Sequence, residues 1–157
     1  MTGRSPSLGP AFLRGIPAAK QKTLMELSHE VTFASGHRIF HEGGKADRFW
    51  VLRSGRVALD LHVPGRRAAD VELLESEDLL GWSWLFAPYV WHLGARALTE
   101  VHADEFDAEA VRALCAGDSE LGQAVAMAVA AVIGHRLVAA RTRLLDLFAP
   151  YGSGERG

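Results

Sequence analysis

The sequence has a single cysteine among 157 residues, only six prolines and no surplus of basic charge. Cys115 alone cannot build an intramolecular disulfide or a Cys-rich zinc or iron–sulfur site. It is expected to pack as a small apolar residue, in a reducing, cytoplasmic setting. Seventeen basic residues against nineteen acidic ones leave a formal net charge of −2. The electrostatic footprint of a nucleic-acid binder is therefore missing. Long apolar runs are scarce too: Ala124 to Ile133, the longest, is too short to span a bilayer and stops before His135 and Arg136. The N-terminus, with Pro6, Gly9, Pro10 and Pro17, lacks the apolar core of a signal peptide. No Gly-x-Ser-x-Gly, no phosphate loop ending in Lys-Ser/Thr and no His-Glu-x-x-His occurs, so enzymatic activity is not expected. His37 and His41 lack a third ligand for a metal, and none is assigned. Glu100, Asp104, Glu105, Asp107 and Glu109 are read as a solvated loop and helix start, where carboxylates suit the helix dipole.

What is present indicates one domain, since the length falls within the roughly 100–200 residues usual for one. Residues 1–10, rich in Ser, Gly and Pro, are expected to be frayed. A short helical stretch with Leu24 and Leu27 follows Pro17, a residue suited to a helix start. From Val31 onward, short apolar stretches alternate with glycine: Val31 and Phe33 before Gly36, Ile39 and Phe40 before Gly43-Gly44, Phe49 to Leu52 before Gly55. That spacing predicts a small β-barrel or sandwich. Val57, Leu59, Leu61 and Val63 alternate with Ala58, Asp60 and His62, a period of two that predicts one buried strand face. Pro64 to Arg67 is a turn, and Asp70 to Leu74 its return strand. Leu93 to Val101 is read as a further strand and Ala108 to Leu114 as a helix.

The last segment differs in kind. Residues 119–149 read as one long helix, capped by Asp118 or Ser119 and followed by a flexible tail over 150–157. Leu121, Val125, Ala128 and Val132 form a stripe suited to the barrel. Ile133, Leu137, Ala140, Leu144 and Leu147 step by four and three, the seam of a paired helix. Ala126, Ala130 and Gly134 suit close helix–helix approach. A parallel homodimer is expected.

The order of these elements, with specific phrases, resembles the cyclic-nucleotide-binding domain of the Crp/Fnr (catabolite activator) family. Leu13 to Pro17 resembles that family's opening helix and Gly36-His-Arg-Ile-Phe-His-Glu-Gly43 its first hairpin. Phe49 to Val57 is similar to its third and fourth strands, and Glu77 to Gly81 to the run into its ligand cassette. The resemblance implies an α+β fold: a jelly-roll (double-stranded β-helix) barrel with a short N-terminal helix and a long C-terminal dimerisation helix, over residues 11–149. It implies a regulatory role, with a cyclic nucleotide or other small ligand as the only cofactor to consider. In the family the cassette offers backbone N–H groups and an Arg to the cyclic phosphate, a Ser or Thr hydroxyl, and a Glu to the ribose.

This sequence departs from that cassette. Trp82 follows Gly81 where the family has Glu, and His92 and Leu93 stand where Arg and Ser would. Losing two charge-assisted hydrogen bonds of about 1.5–3 kcal/mol each predicts cyclic AMP binding weakened by about two to four orders of magnitude. The ligand-site candidates are Gly81, Trp82, Ser83, His92, Leu93 and Arg96, the last two residues being placed with His92 on one strand. Trp84, Phe86, Tyr89 and Trp91 complete an aromatic cluster. It either fills the emptied pocket, forms a site for a flat or apolar ligand, or offers a patch to a protein. The expected role is a non-enzymatic sensor signalling through a helix-mediated dimer to another protein, or an interaction subunit with a closed pocket. The family's helix-turn-helix has no counterpart in these residues, so DNA binding is not expected of them; a transcription-regulator role follows only if the chain is a fragment.

Overall fold

The computed structural model describes residues 11–148; the expectations for residues 1–10 and 150–157 lie outside them. A 3-10 turn, Leu13–Gly15, leads into α1 (Ala18–Met25), whose Leu24 is completely buried. Eight antiparallel strands follow: β1 (Ser28–Phe33), β2 (Arg38–Phe40), β3 (Arg48–Ser54), β4 (Val57–Leu61), β5 (Ala69–Leu74), β6 (Leu79–Leu80), β7 (Gly94–Ala97) and β8 (Val101–Asp107). They form two four-stranded sheets, ordered β1-β8-β3-β6 and β2-β7-β4-β5. Then come α2 (Ala108–Gly117) and α3 (Ser119–Phe148). This is the sandwich that the glycine-punctuated pattern leads one to expect, in the jelly-roll form that the family resemblance implies, with the long helix read from residues 119–149.

Aromatic rings occupy the core on both faces of the first sheet: Trp50 stacks on Phe40 of the second sheet at 5.7 Å, and Phe49, its neighbour in β3, faces the other way. Phe49 stacks on Phe106 at 4.7 Å and meets Phe12 edge-on at 6.2 Å. Along α3, Leu121, Val125, Ala128 and Val132 are buried in the core as their spacing predicts, and Val129 is buried with them. Asp118 caps the helix, its Oδ1 accepting the Leu121 N–H at 3.1 Å, while its other oxygen accepts from Lys20 Nζ at 2.8 Å. The Lys20 hydrogen bond, followed by that of the Leu121 backbone, holds the Asp118 carboxyl below its ordinary value of 3.8.

Four sequence expectations change. Leu93 to Val101 is not one strand: β7 ends at Ala97, the chain turns, and β8 begins at Val101. The acidic cluster is consequently solvated only in part: Glu100, Asp107 and Glu109 are exposed, Glu109 in the first turn of α2. Asp104 and Glu105 lie in β8, between β1 and β3, and are only 4% and 8% exposed. Each has a partner from a neighbouring strand: Arg53 Nε reaches both Asp104 oxygens at 2.9 Å, and Trp50 Nε1 and His29 Nε2 each reach Glu105 at 2.9 Å. Strand β4 does not alternate either, since Val57 through Asp60 are all buried and Leu61 is exposed. Asp60 is accommodated because Arg38 donates to it at 2.8 Å and Gly94 leaves room: a Cβ at Gly94 would sit 2.5 Å from Asp60 Oδ1. Finally, α3 is long and apolar enough, by length and composition, to cross a membrane. The short break at Gly134, His135 and Arg136 does not lower the average enough to prevent this. Its buried stripe accounts for part of that apolarity within the fold.

Candidate ligand site

The site begins where β6 ends. Leu79 and Leu80 are completely buried and pair with Val51 and Trp50 of β3. The chain then turns sharply at Gly81, whose φ is +97°, and a Cβ there would lie 2.6 Å from the Trp91 ring. Both the left-handed backbone and the ring overhead demand glycine. A loop from Trp82 to Leu93 closes back onto β7. Its far end is held by the Gly43-Gly44 turn, with Trp91 N–H donating to the Gly44 carbonyl and Gly43 N–H to that of Trp91, both at 2.8 Å.

The loop's aromatics have separate tasks. Trp91 is 5% exposed and stacks on Phe40 with centroids 4.0 Å apart. Trp84 is completely buried and stacks on Phe49 at 4.1 Å, so it belongs to the barrel core and not to a pocket. Its carbonyl accepts from Arg112 of α2 at 2.6 Å, and the same guanidinium lies 4.2 Å over the Tyr89 ring. Tyr89 therefore anchors the loop to α2. Phe86 is 47% exposed and meets Trp82 edge-on at 6.3 Å.

Trp82 lies flat on His92, centroids 5.5 Å apart and planes 12° from parallel, while His92 Nδ1 is 3.1 Å from Ser83 Oγ. Gly81, Trp82, Ser83, His92 and Leu93, brought together as the sequence suggests, line one cavity of about 40 Å³ with Phe40, Trp91 and Arg136. A second, mostly apolar cavity of about 250 Å³ lies between β4, β5 and α3. Leu59, Trp82, Leu93 and Arg136 border both, and Val71, Glu72, Ile133, Leu137 and Ala140 complete the second.

Arg96 is not in either cavity. Its guanidinium pairs with Asp70 of β5 at 3.1 and 3.2 Å. The four-residue step from His92 misplaces it because His92 and Leu93 precede β7, so strand parity does not reach back to them. Arg136 is the contributor that the sequence reading missed. It donates to the Leu79 carbonyl from α3, and the signal was there: it continues the Val125, Val129, Val132 face by one more turn.

Of the expected helix seam, Leu137, Ala140, Leu144 and Leu147 are exposed. Ile133 packs partly on the core, whereas Leu137, Val138, Leu144, Leu145 and Leu147 are more than half exposed. At about 100° per residue, the side directly opposite the barrel carries Met127, Ala130, Gly134, Leu137, Val138, Leu144 and Leu145. Its centre is turned roughly 80° from that of the expected seam, with which it shares Leu137 and Leu144.

A jelly-roll sandwich whose tight-turned cassette faces a long helix defines the class of cyclic-nucleotide-binding folds. The family model described as Cyclic nucleotide-binding domain matches residues 30–118. The chain belongs to that family. It is 27% identical over 136 residues to the CRP-like cAMP-activated global transcriptional regulator of Mycobacterium tuberculosis, covering 87% of this chain and 59% of that protein. The chain thus spans about three-fifths of the length of the curated relatives it matches. Among solved structures, the N-terminal domain of a transcriptional regulator from Streptomyces coelicolor superposes with a TM-score of 0.67 and 27% identity, covering 77% of this chain and 84% of that one. A cyclic nucleotide-binding domain from Methylobacillus flagellatus gives a TM-score of 0.76 at 14% identity, covering 88% and 86%, a likeness of fold alone.

Proposed function

We propose that this protein is a non-enzymatic regulatory module whose nucleotide pocket does not accept cyclic AMP by the family's usual route. It acts through a helix-mediated homodimer on a protein partner, in the cytoplasm. One observation carries the reading. Trp82 stands where the family resemblance puts the ribose-binding Glu, and it borders two separate cavities, about 40 Å³ beside Gly81 and about 250 Å³ beneath α3, each smaller than the roughly 300 Å³ of the smallest usual ligand pockets. His92 and Leu93, in the family's Arg and Ser places, line the one beside Gly81. Ser83 and the backbone after Gly81 are the remaining polar groups of the cassette.

The dimer part rests on the stripe opposite the barrel. A Cβ on Gly134 would meet nothing within 4 Å in this chain. Glycine in mid-helix costs about 1 kcal/mol relative to Ala, an arrangement suited to close approach by a second helix. The test is titration calorimetry and thermal melting with cyclic AMP, cyclic GMP and cyclic dinucleotides, beside light scattering. No heat, no melt shift and a dimeric mass are expected. A ligand at 100 times its Kd would add about 2.7 kcal/mol, so a melt raised by several degrees with cyclic AMP would refute the pocket reading.

A further inference from the structure

We infer that Trp82 is the resident occupant of the nucleotide pocket, and that its indole sets the position of the long helix in place of a bound ligand. This rests on the pocket reading above and goes beyond it: the ligand's place beside Gly81 is then permanently taken, while the cavity of about 250 Å³ beneath α3 stays open.

The indole is a two-ring plate between the cassette and α3. One face lies on His92, its edge meets Phe86, and it borders both the small cavity beside Gly81 and the larger one beneath Ile133, Leu137 and Ala140. Its backbone is held in place, because Gly81 sits at φ +97° under the Trp91 ring and Trp91 is itself stacked on Phe40. The helix is tied to the same point, with Arg136 donating to the Leu79 carbonyl two residues before Gly81 and bordering Trp82 in both cavities. Val132 is the last described residue of α3 that is buried, and from Leu137 to Leu147 all but Ala139 are exposed. Residues 137–148 therefore extend about 18 Å beyond the last anchor. A shift at Trp82 is carried outward along that lever.

The full chain carrying Trp82→Ala tests this by amide hydrogen exchange over residues 133–148, with and without free indole. An apolar void of this kind stays dry and takes up an aromatic molecule. Exchange in the helix is expected to quicken by about fivefold or more, the low end of usual coupling between sites. Free indole should reverse it, leaving the wild type unchanged, and Trp82→Phe should stay close to wild type. A folded W82A with wild-type exchange in the helix overturns the inference, as does quickened exchange that indole does not reverse or an equal response of the wild type to indole. If W82A does not fold, Trp82→Leu, which keeps apolar volume but loses the flat ring, carries the same expectation and the same refutation. Cyclic AMP binding by the wild type would defeat the pocket reading. Unchanged helix exchange in a chain that binds no nucleotide would defeat only this inference.

Discussion

The Trp91 indole lies directly over Gly81, so close that a single methyl group on the glycine would come within 2.6 Å of the ring. Gly81→Ala must therefore force the ring aside and strain a backbone held at φ +97°. A loss of about 3 kcal/mol is expected in chemical denaturation, from strain and overpacking together. Replacing Trp91 with Leu in the same chain should recover the overpacking share and leave the strain.

The cassette can be tested by reversing its two departures. Trp82→Glu with His92→Arg supplies two charge-assisted contacts of about 1.5–3 kcal/mol each and removes the indole from the cavity. Calorimetry should then show cyclic AMP affinity raised by about two to four orders of magnitude over the wild type. Each single change should give less. A double variant that folds and still ignores the nucleotide would show that more than these two side chains closes the pocket.

Asp118 predicts a pH dependence. Its carboxyl is lowered in the folded chain, first by the Lys20 hydrogen bond and then by the Leu121 backbone N–H. A depressed carboxyl stabilises the fold fully above its unfolded value and loses that effect as pH falls through the folded one. The melting-temperature gap between wild type and Asp118→Asn should be widest near neutrality and narrow below about pH 4. A gap that stays constant through that window would refute the assignment.

Strand β8 carries a buried charge that depends on one partner. Asp104 is 4% exposed, and Arg53 Nε reaches both of its oxygens at 2.9 Å. Arg53→Leu leaves that carboxylate unpaired and should cost about 2 kcal/mol in urea unfolding. Arg53→Leu combined with Asp104→Leu should cost less than the single change.

The stripe opposite the barrel makes a prediction about self-association. Leu137→Glu or Leu144→Glu should convert a dimer to monomer by light scattering, with the melting transition of the barrel preserved. Gly134→Leu should do the same, because its Cβ meets nothing in its own chain. Leu147→Glu, on the flank of the stripe, should have the smaller effect.

The barrel was readable because a two-sheet sandwich must turn every few residues, and the glycines at 36, 43, 55 and 81 all have positive φ. Gly81 to Ser83 and His92 to Leu93 were readable for a related reason: the family phrase leads into a turn that only glycine permits. Three features were not. Asp104 and Glu105 looked solvated because Arg53, Trp50 and His29, which make their burial tolerable, lie more than fifty residues away in sequence. Trp84 looked like a pocket residue because nothing in a run of alternating aromatics says which ring faces Phe49. Arg96 was misplaced by a parity rule applied across two residues that belong to no strand.

The strand order β1-β8-β3-β6 bears on how the protein is made. Strand β8 is the last strand synthesised, yet it lies in the interior of its sheet, paired with β1 on one side and β3 on the other. Until residue 107 has left the ribosome, β1 has no partner, and both its edge and that of β3 stay open. Such long-range closure is slow and leaves strand edges available for wrong pairing. Nascent chains stopped short of β8 are therefore the form in which this sheet is most exposed to aggregation and most in need of a chaperone.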